Sequence, residues 1–333
     1  MIHGRISGST VVITGASNGI GRATALALAV RGARLVLCSR GDRALDATVR
    51  ECRLYGADVI GVPTDVGDEP QVLKLRDEAL RHFDTIDVWI SNAAVTAFGR
   101  VEETPARDVE RLLRTNLMGA VNSARAVIPH FRERGTGTLI IVSSVAGLKA
   151  QPFTSAYCAS KSAQLRLAES LRQEVDDAPG IRICALLPAS IDTPIFGFGA
   201  NYTGRRARPM PPVYAASMVA NDLIALIRRP VPQRISGFAG HLLQIAAWLA
   251  PRQAEKFMAS NVREDHFTDQ PAPRSPGNLH APSCSQGAVS GGWGGRHPGA
   301  KWPLLAVGAL AGVATALAVE SSRAPRRRTW RWA

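Results

Sequence analysis

Thr10-Val-Val-Ile-Thr14 runs directly into Gly15-Ala-Ser-Asn-Gly19-Ile-Gly21, and an amphipathic pattern continues to about Arg31. A β-branched apolar run, a glycine-rich turn and a helix, in that order, form the first part of a βαβ unit. Glycine suits such a turn because backbone amides must approach a phosphate closely, while the helix N-terminus supplies donors and a favourable dipole. Gly15, Ser17, Asn18, Gly19, Ile20 and Gly21 are therefore candidates for holding a dinucleotide pyrophosphate. The spacing is Gly-x-x-x-Gly-x-Gly, not Gly-x-Gly-x-x-Gly. Taken alone, a glycine motif also describes a tight turn with no ligand.

Outward from this turn, short apolar runs alternate with longer helical patterns as far as about Gly240. Strands are predicted at Thr10–Thr14, Arg34–Cys38, Asp58–Val62, Ile86–Ile90, Thr138–Val142, Ile181–Leu186 and Arg234–Phe238, with helices such as Gly21–Arg31, Ala106–Arg134 and Ser155–Val175 between them. The alternation predicts an α/β fold, a Rossmann-type doubly wound parallel sheet of about seven strands covered by helices on both faces. One or two further helices over His241–Phe267 complete a single domain spanning 1–267. At the end of the second strand, Leu37-Cys38-Ser39-Arg40 lacks the acidic residue that would bond ribose hydroxyls. Ser39 stands in its place, and the Arg40 guanidinium suits a 2′-phosphate. NADP(H) is therefore expected ahead of NAD(H), the competing reading being that Arg40 is a solvated surface charge.

Tyr157-Cys-Ala-Ser-Lys161 places a phenol and an ammonium at i and i+4, on one helical face. A nearby ammonium favours the ionised phenol, which otherwise titrates near about pH 10. Thirteen residues earlier, Ser144 closes the run Leu139-Ile-Ile-Val-Ser143-Ser144, and Asn116 lies in the helical stretch Arg114-Thr-Asn-Leu-Met118. With Thr14 and the glycine turn, these segments resemble the TGxxxGIG and YxxxK motifs of the short-chain dehydrogenase/reductase family, over about Ser9 to Gly240. The resemblance implies a hydride transfer between nicotinamide and a carbonyl or secondary alcohol. In it Ser144 bonds the substrate oxygen and Tyr157 exchanges its proton. Lys161 holds the nicotinamide ribose and lowers the Tyr157 pKa, while Asn116 joins the relay to solvent.

The same resemblance carries Asp65 and Val66, in Thr64-Asp-Val66, to the adenine, and Asn92 and Ala93, in Ser91-Asn-Ala-Ala94, to the cofactor. Pro188, Ile191 and Thr193, in Pro188-Ala-Ser-Ile-Asp-Thr193-Pro194, are carried to the nicotinamide carboxamide. Two glycines of the family pattern are alanines here, Ala94 and Ala189. If position 189 needs a positive φ, alanine there costs about 1 kcal/mol. The stretch Ile195–Val213 is expected to cover the substrate. Phe196, Phe198 and Tyr202 suggest an apolar, lipid-like or steroid-like ligand, and Arg205, Arg206 and Arg208 an anionic group; packing aromatics and a solvated basic face are the equal alternative.

The chain has 333 residues and a formal charge of +13. From His266 onward eight basic residues face two acidic ones, so +6 of the excess lies there and +7 in the body. No nucleic-acid module accompanies these charges, and a nucleic-acid partner is not expected. The five cysteines have no paired spacing and the seven histidines no metal-ligand spacing, so reduced thiols and no metal site are expected. Met1 to Gly8 holds no apolar stretch of the secretory kind, and a cytoplasmic catalytic domain is expected. Residues 268–301, rich in Pro, Gly and Ser, read as a flexible linker. Residues 302–320 include seventeen uncharged residues from Pro303 to Val319 with a Gly308/Gly312 pair, and 321–333 form a basic tail. A membrane-associated helix is the favoured reading of 302–320, and a helix docked on the domain is the alternative. A homodimer or homotetramer fits the family resemblance. Against the enzyme stands a catalytically idle NADP-binding sensor or membrane-tethered scaffold, which would have no need of Asn116, Ser144, Tyr157 and Lys161 together.

Overall fold

A computed structural model of the chain describes residues 6–283 and 286–294. Seven strands form one sheet: β1 Thr10–Thr14, β2 Arg34–Ser39, β3 Val59–Pro63, β4 Val88–Ser91, β5 Gly137–Val142, β6 Ile181–Pro188 and β7 Gln233–Ser236. Their order is β7-β6-β5-β4-β1-β2-β3, and every neighbouring pair is parallel. Central strands such as β1 and β5 are buried along their whole length, as expected of a parallel sheet with both faces covered.

Alternation along β1 divides the core. Val11 and Ile13 face a layer containing α1 (Gly19–Ala29) and the helix Ala216–Arg228, while Val12 faces the layer of Glu69–Phe83, Gly119–Arg134 and α2 (Ser155–Glu174). The strand order reverses between β1 and β4, so the crevice outside their carboxyl ends is where an open α/β sheet binds its ligand.

The expected helix over Ala106–Arg134 is continuous in direction but changes winding. Its α-helical parts, Ala106–Leu113 and Gly119–Arg134, flank a π-helical turn over Arg114–Met118. Such turns are often functional, and this one holds Asn116. The last strand ends at Ser236, short of the expected Phe238, because Gly237 turns the chain with φ +100°. Two helices follow, Phe238–Leu249 and Pro251–Asp265.

The stretch read as a linker begins differently from that expectation. Phe267–Pro271 forms a strand antiparallel to Arg205–Ala207, and Leu279 is fully buried. Among the described residues no helix is long and apolar enough to cross a membrane. The segments 302–320 and 321–333 lie outside the described residues.

Candidate active site

The glycine turn is wound too tightly for side chains. Gly15 and Gly19 hold φ of +67° and +53°, and a Cβ on Gly21 would lie 2.1 Å from the Gly15 carbonyl oxygen. Thr14 and Asn92 clamp it from the neighbouring strand. Thr14 Oγ1 accepts from the amides of Asn92 and Ala93 at 2.9 and 3.1 Å, and Asn92 Nδ2 donates to the Thr14 and Gly15 carbonyls at 2.9 and 3.2 Å. The turn lines a cleft of about 250 Å³ that runs past Ser39, Arg40, Asp65 and Val66 on one side and past Ser144, Tyr157, Lys161, Pro188 and Thr193 on the other. Narrow backbone at a helix N-terminus, at the carboxyl edge of the sheet, fits a dinucleotide pyrophosphate.

At the nucleotide end, Arg40 is more than half buried. Burial and the Arg111 guanidinium lower its proton affinity, and Asp65 works in the opposite direction. Its Nη1 donates to the Leu279 carbonyl at 2.6 Å and its Nη2 to the Asn278 carbonyl. Arg111 pairs with Asp65 and also donates to Leu279 O, at 3.0 Å. Arg40 is thus not a solvated surface charge, the alternative weighed against nucleotide binding.

At the other end β5 and α2 bring the reactive groups together. Ser144 caps the turn Val145–Gly147, its Oγ accepting from the Ala146 amide at 3.1 Å and donating to Pro188 O at 3.4 Å, and it lines the cleft with Tyr157. Burial pushes the Tyr157 pKa up to about 12, with the Ser144 side chain acting the other way. Lys161, 2% exposed, is pushed down to about 7 by burial. Its Nζ donates to Val142 O at 2.9 Å and to Gln164 Oε1 at 3.1 Å, and lies 5.6 Å from the centre of the Tyr157 ring. The ammonium therefore sits over the ring, bonded elsewhere. Desolvation dominates, moving both groups toward their neutral forms.

Gln164 extends this network. Its Nε2 donates to the Asn116 carbonyl at 2.7 Å, while the Asn116 side chain is held by both backbone groups of Val95 and by Ser160 Oγ, at 2.9 to 3.0 Å. Lys161, Gln164 and the π-helical turn are joined in one buried chain of hydrogen bonds.

Ile195, Phe196 and Phe198 line the substrate end. Phe196 packs on Phe98, His266 and Trp293, with ring centroids 6.3, 5.9 and 6.2 Å apart. Tyr202 does not join them: its buried hydroxyl donates to Asp108. The arginines expected to meet an anion are turned to the C-terminal chain instead. Arg205 pairs with Asp269, Arg206 with Gln270 and Arg208 with Asp265. Ala189 is not among the described residues with positive φ, and its amide donates to Ser236 O at 2.9 Å. The strain considered for that alanine is therefore absent.

With this geometry in view, the family profile described as short chain dehydrogenase matches residues 9–199. The chain belongs to the short-chain dehydrogenases. It is 30% identical over 285 residues to the uncharacterized oxidoreductase YxnA of Bacillus subtilis, covering 84% of this chain and 80% of that one. It is 35% identical over 193 residues to versicolorin reductase of Emericella nidulans, covering 58% and 72%. Among solved structures, an alcohol dehydrogenase from Thermococcus sibiricus complexed with 5-hydroxy-NADP superposes with a TM-score of 0.61 at 26% identity, over 68% of this chain and 95% of that one. An NAD+-bound xylitol dehydrogenase superposes at 0.55 with 31% identity, over 56% and 72%. As a short-chain dehydrogenase the chain is an oxidoreductase acting on CH–OH donors with a nicotinamide cofactor.

Ser144, Tyr157 and Lys161 line this dehydrogenase's cleft together with every nucleotide-binding candidate but Gly21, while Asn116 is fully buried behind it and joined to Lys161 through Gln164. Sequence reading missed Gln164, Arg111 and Asp192. Gln164 sits three residues beyond Lys161 on the same helix, a spacing that puts it within reach. Nothing local marks the other two, whose partners lie far along the chain.

Proposed function

We propose that the protein is an NADP(H)-dependent oxidoreductase acting on an apolar secondary alcohol or its carbonyl partner. The observation that carries this reading is Ser144, Tyr157 and Lys161 lining the same cleft as the glycine turn, with Arg40 at its far end. Gly15 to Gly21 would hold the pyrophosphate, Arg40 a 2′-phosphate, and Asp65 and Val66 the adenine. Pro188, Ile191 and Thr193 would border the nicotinamide, which when bound supplies or accepts the hydride. Ser144 orients the substrate oxygen by a hydrogen bond. Tyr157, protonated at neutral pH, delivers its phenolic proton to that oxygen during reduction and recovers it during oxidation. Lys161 and Asn116, tied through Gln164, keep the proton path in place. Phe196 and Phe198 offer the substrate an apolar wall; one solved neighbour is complexed with 5-hydroxy-NADP and another with NAD+, so the choice of nucleotide rests on Arg40.

The test is binding of NADPH and NADH to the purified full chain, followed by nucleotide fluorescence, with Arg40→Ala alongside. Wild type should prefer NADPH, and Arg40→Ala should reduce that preference about 10- to 100-fold, the usual worth of hydrogen bonds to a charged group. Equal affinities in the wild type would refute the nucleotide assignment. Tyr157→Phe should still bind nucleotide yet fail to turn over a panel of secondary alcohols and ketones. Nucleotide binding with no turnover of any member by the wild type would favour the idle NADP-binding sensor.

A further inference from the structure

The stretches 276–283 and 286–294 return across the mouth of the cleft, and their anchors are groups a dinucleotide would use. Arg40 donates to the carbonyls of Asn278 and Leu279. The Gly19 amide, inside the glycine turn, donates to Ala288 O at 2.8 Å, and Asn18 Oδ1 accepts from Ala288 N at 3.0 Å. Farther along, Asp192 accepts from Ser290 Oγ and from the amides of Gly291 and Trp293, and the Trp293 indole donates to Thr193 O. Leu279 is sealed in an apolar cluster with Val95, Leu112 and Tyr202, and His280 pairs with Asp108 at 2.6 Å.

The segment is shaped for this place. A Cβ on Gly277 would lie 2.4 Å from Phe198 O, one on Gly287 2.6 Å from Ser17 O, and one on Gly291 2.3 Å from Thr193 O. At three points only glycine permits the approach, and two of the three contacts are to backbone of nucleotide-binding loops. One backbone amide and one guanidinium cannot serve a strap carbonyl and a phosphate at full strength together. The cleft beneath, at about 250 Å³, is also below the roughly 300–1,000 Å³ typical of small-molecule pockets.

We propose that the stretches 276–283 and 286–293 form an autoinhibitory strap that competes with the dinucleotide for Gly19 and Arg40, so that cofactor binds only as the strap lifts. This rests on the cleft being the nucleotide site. The apparent affinity is then the intrinsic one reduced by the fraction of molecules with the strap lifted.

The experiment is amide hydrogen exchange of the full-length wild type with and without saturating NADPH, together with NADPH affinities of wild type and a Leu279→Ala/Gly287→Ala/Gly291→Ala variant. All three substituted residues lie in the strap, and none is among those assigned to nucleotide or substrate. Exchange at the amides of Ala288, Gly291 and Trp293 should speed up when NADPH binds, and the variant should bind NADPH at least about 10-fold more tightly, the factor expected if the strap is lifted in a tenth of molecules or fewer. Slower exchange at those amides, or unchanged or weaker binding by the variant, overturns the strap and makes the segment a clasp or a bystander. Failure of both folded proteins to bind either NADPH or NADH is a different result. It removes the nucleotide site itself, and the strap proposal falls with it.

Discussion

Lys161 is cut off from water and Tyr157 is partly buried beside it, and this sets the expected pH behaviour. With its pKa raised to about 12, the Tyr157 phenol is a proton donor across neutral pH and a base only under alkaline conditions. Carbonyl reduction should hold its rate through neutral pH and fall at the alkaline end, whereas alcohol oxidation should climb as pH rises; steady-state pH profiles in both directions check this. His266, buried with its Nδ1 donating to Arg208 O at 2.6 Å, has its pKa lowered to about 4. The unfolded chain therefore binds more protons than the folded one between about pH 6.5 and 4. Its contribution to stability is complete above that range and lost as pH falls through it, by about 3 kcal/mol. His266→Gln should flatten the acid limb of a stability profile measured by denaturant unfolding. Tyr157, Lys161, Ser144 and Asn116 were legible in the sequence because their spacing is local. That burial, and not the Lys161 charge, dominates the Tyr157 phenol was not, since desolvation depends on every element packed around the pair.

Among elements, the sheet was the most readable. Most of its strands are largely apolar runs, β7 with Gln233-Arg-Ile-Ser236 being the exception, and each run predicted as a strand overlaps one in the structure. Boundaries moved where backbone geometry decides, as at Gly237. The π-helical turn at Arg114–Met118 could not be read, because the amphipathic pattern passes through it unbroken while the winding changes to serve Asn116. Gln164 ties that turn to α2. Replacing it with leucine leaves Lys161 Nζ with one acceptor fewer and the Asn116 carbonyl without its Gln164 donor, in the interior. Gln164→Leu is expected to lower the unfolding free energy by about 1–3 kcal/mol and to reduce turnover. Denaturant titration and kcat measure the two effects separately, and unchanged values of both would show the link to be idle.

Over the whole molecule, the described part of residues 268–301 is more ordered than its composition suggests. Pro, Gly and Ser without periodicity predict a chain that packs no core of its own, and the described part packs none. It docks instead on a surface others have built, through carbonyls, amides and glycines and through the isolated side chains Leu279 and Trp293, a mode that leaves no hydrophobic periodicity to read. The strap joins both halves of the sheet, from Arg40 after β2 to Asp192 beyond β6. At its far end Trp293 packs against Phe196, on the substrate wall. Lifting the strap for the nucleotide would therefore also free a face of the substrate pocket. The two ligands should then bind in compulsory order, nucleotide first and organic substrate second. In product-inhibition experiments the oxidised and reduced nucleotides should compete with each other alone, while random addition would show the two ends of the strap moving independently.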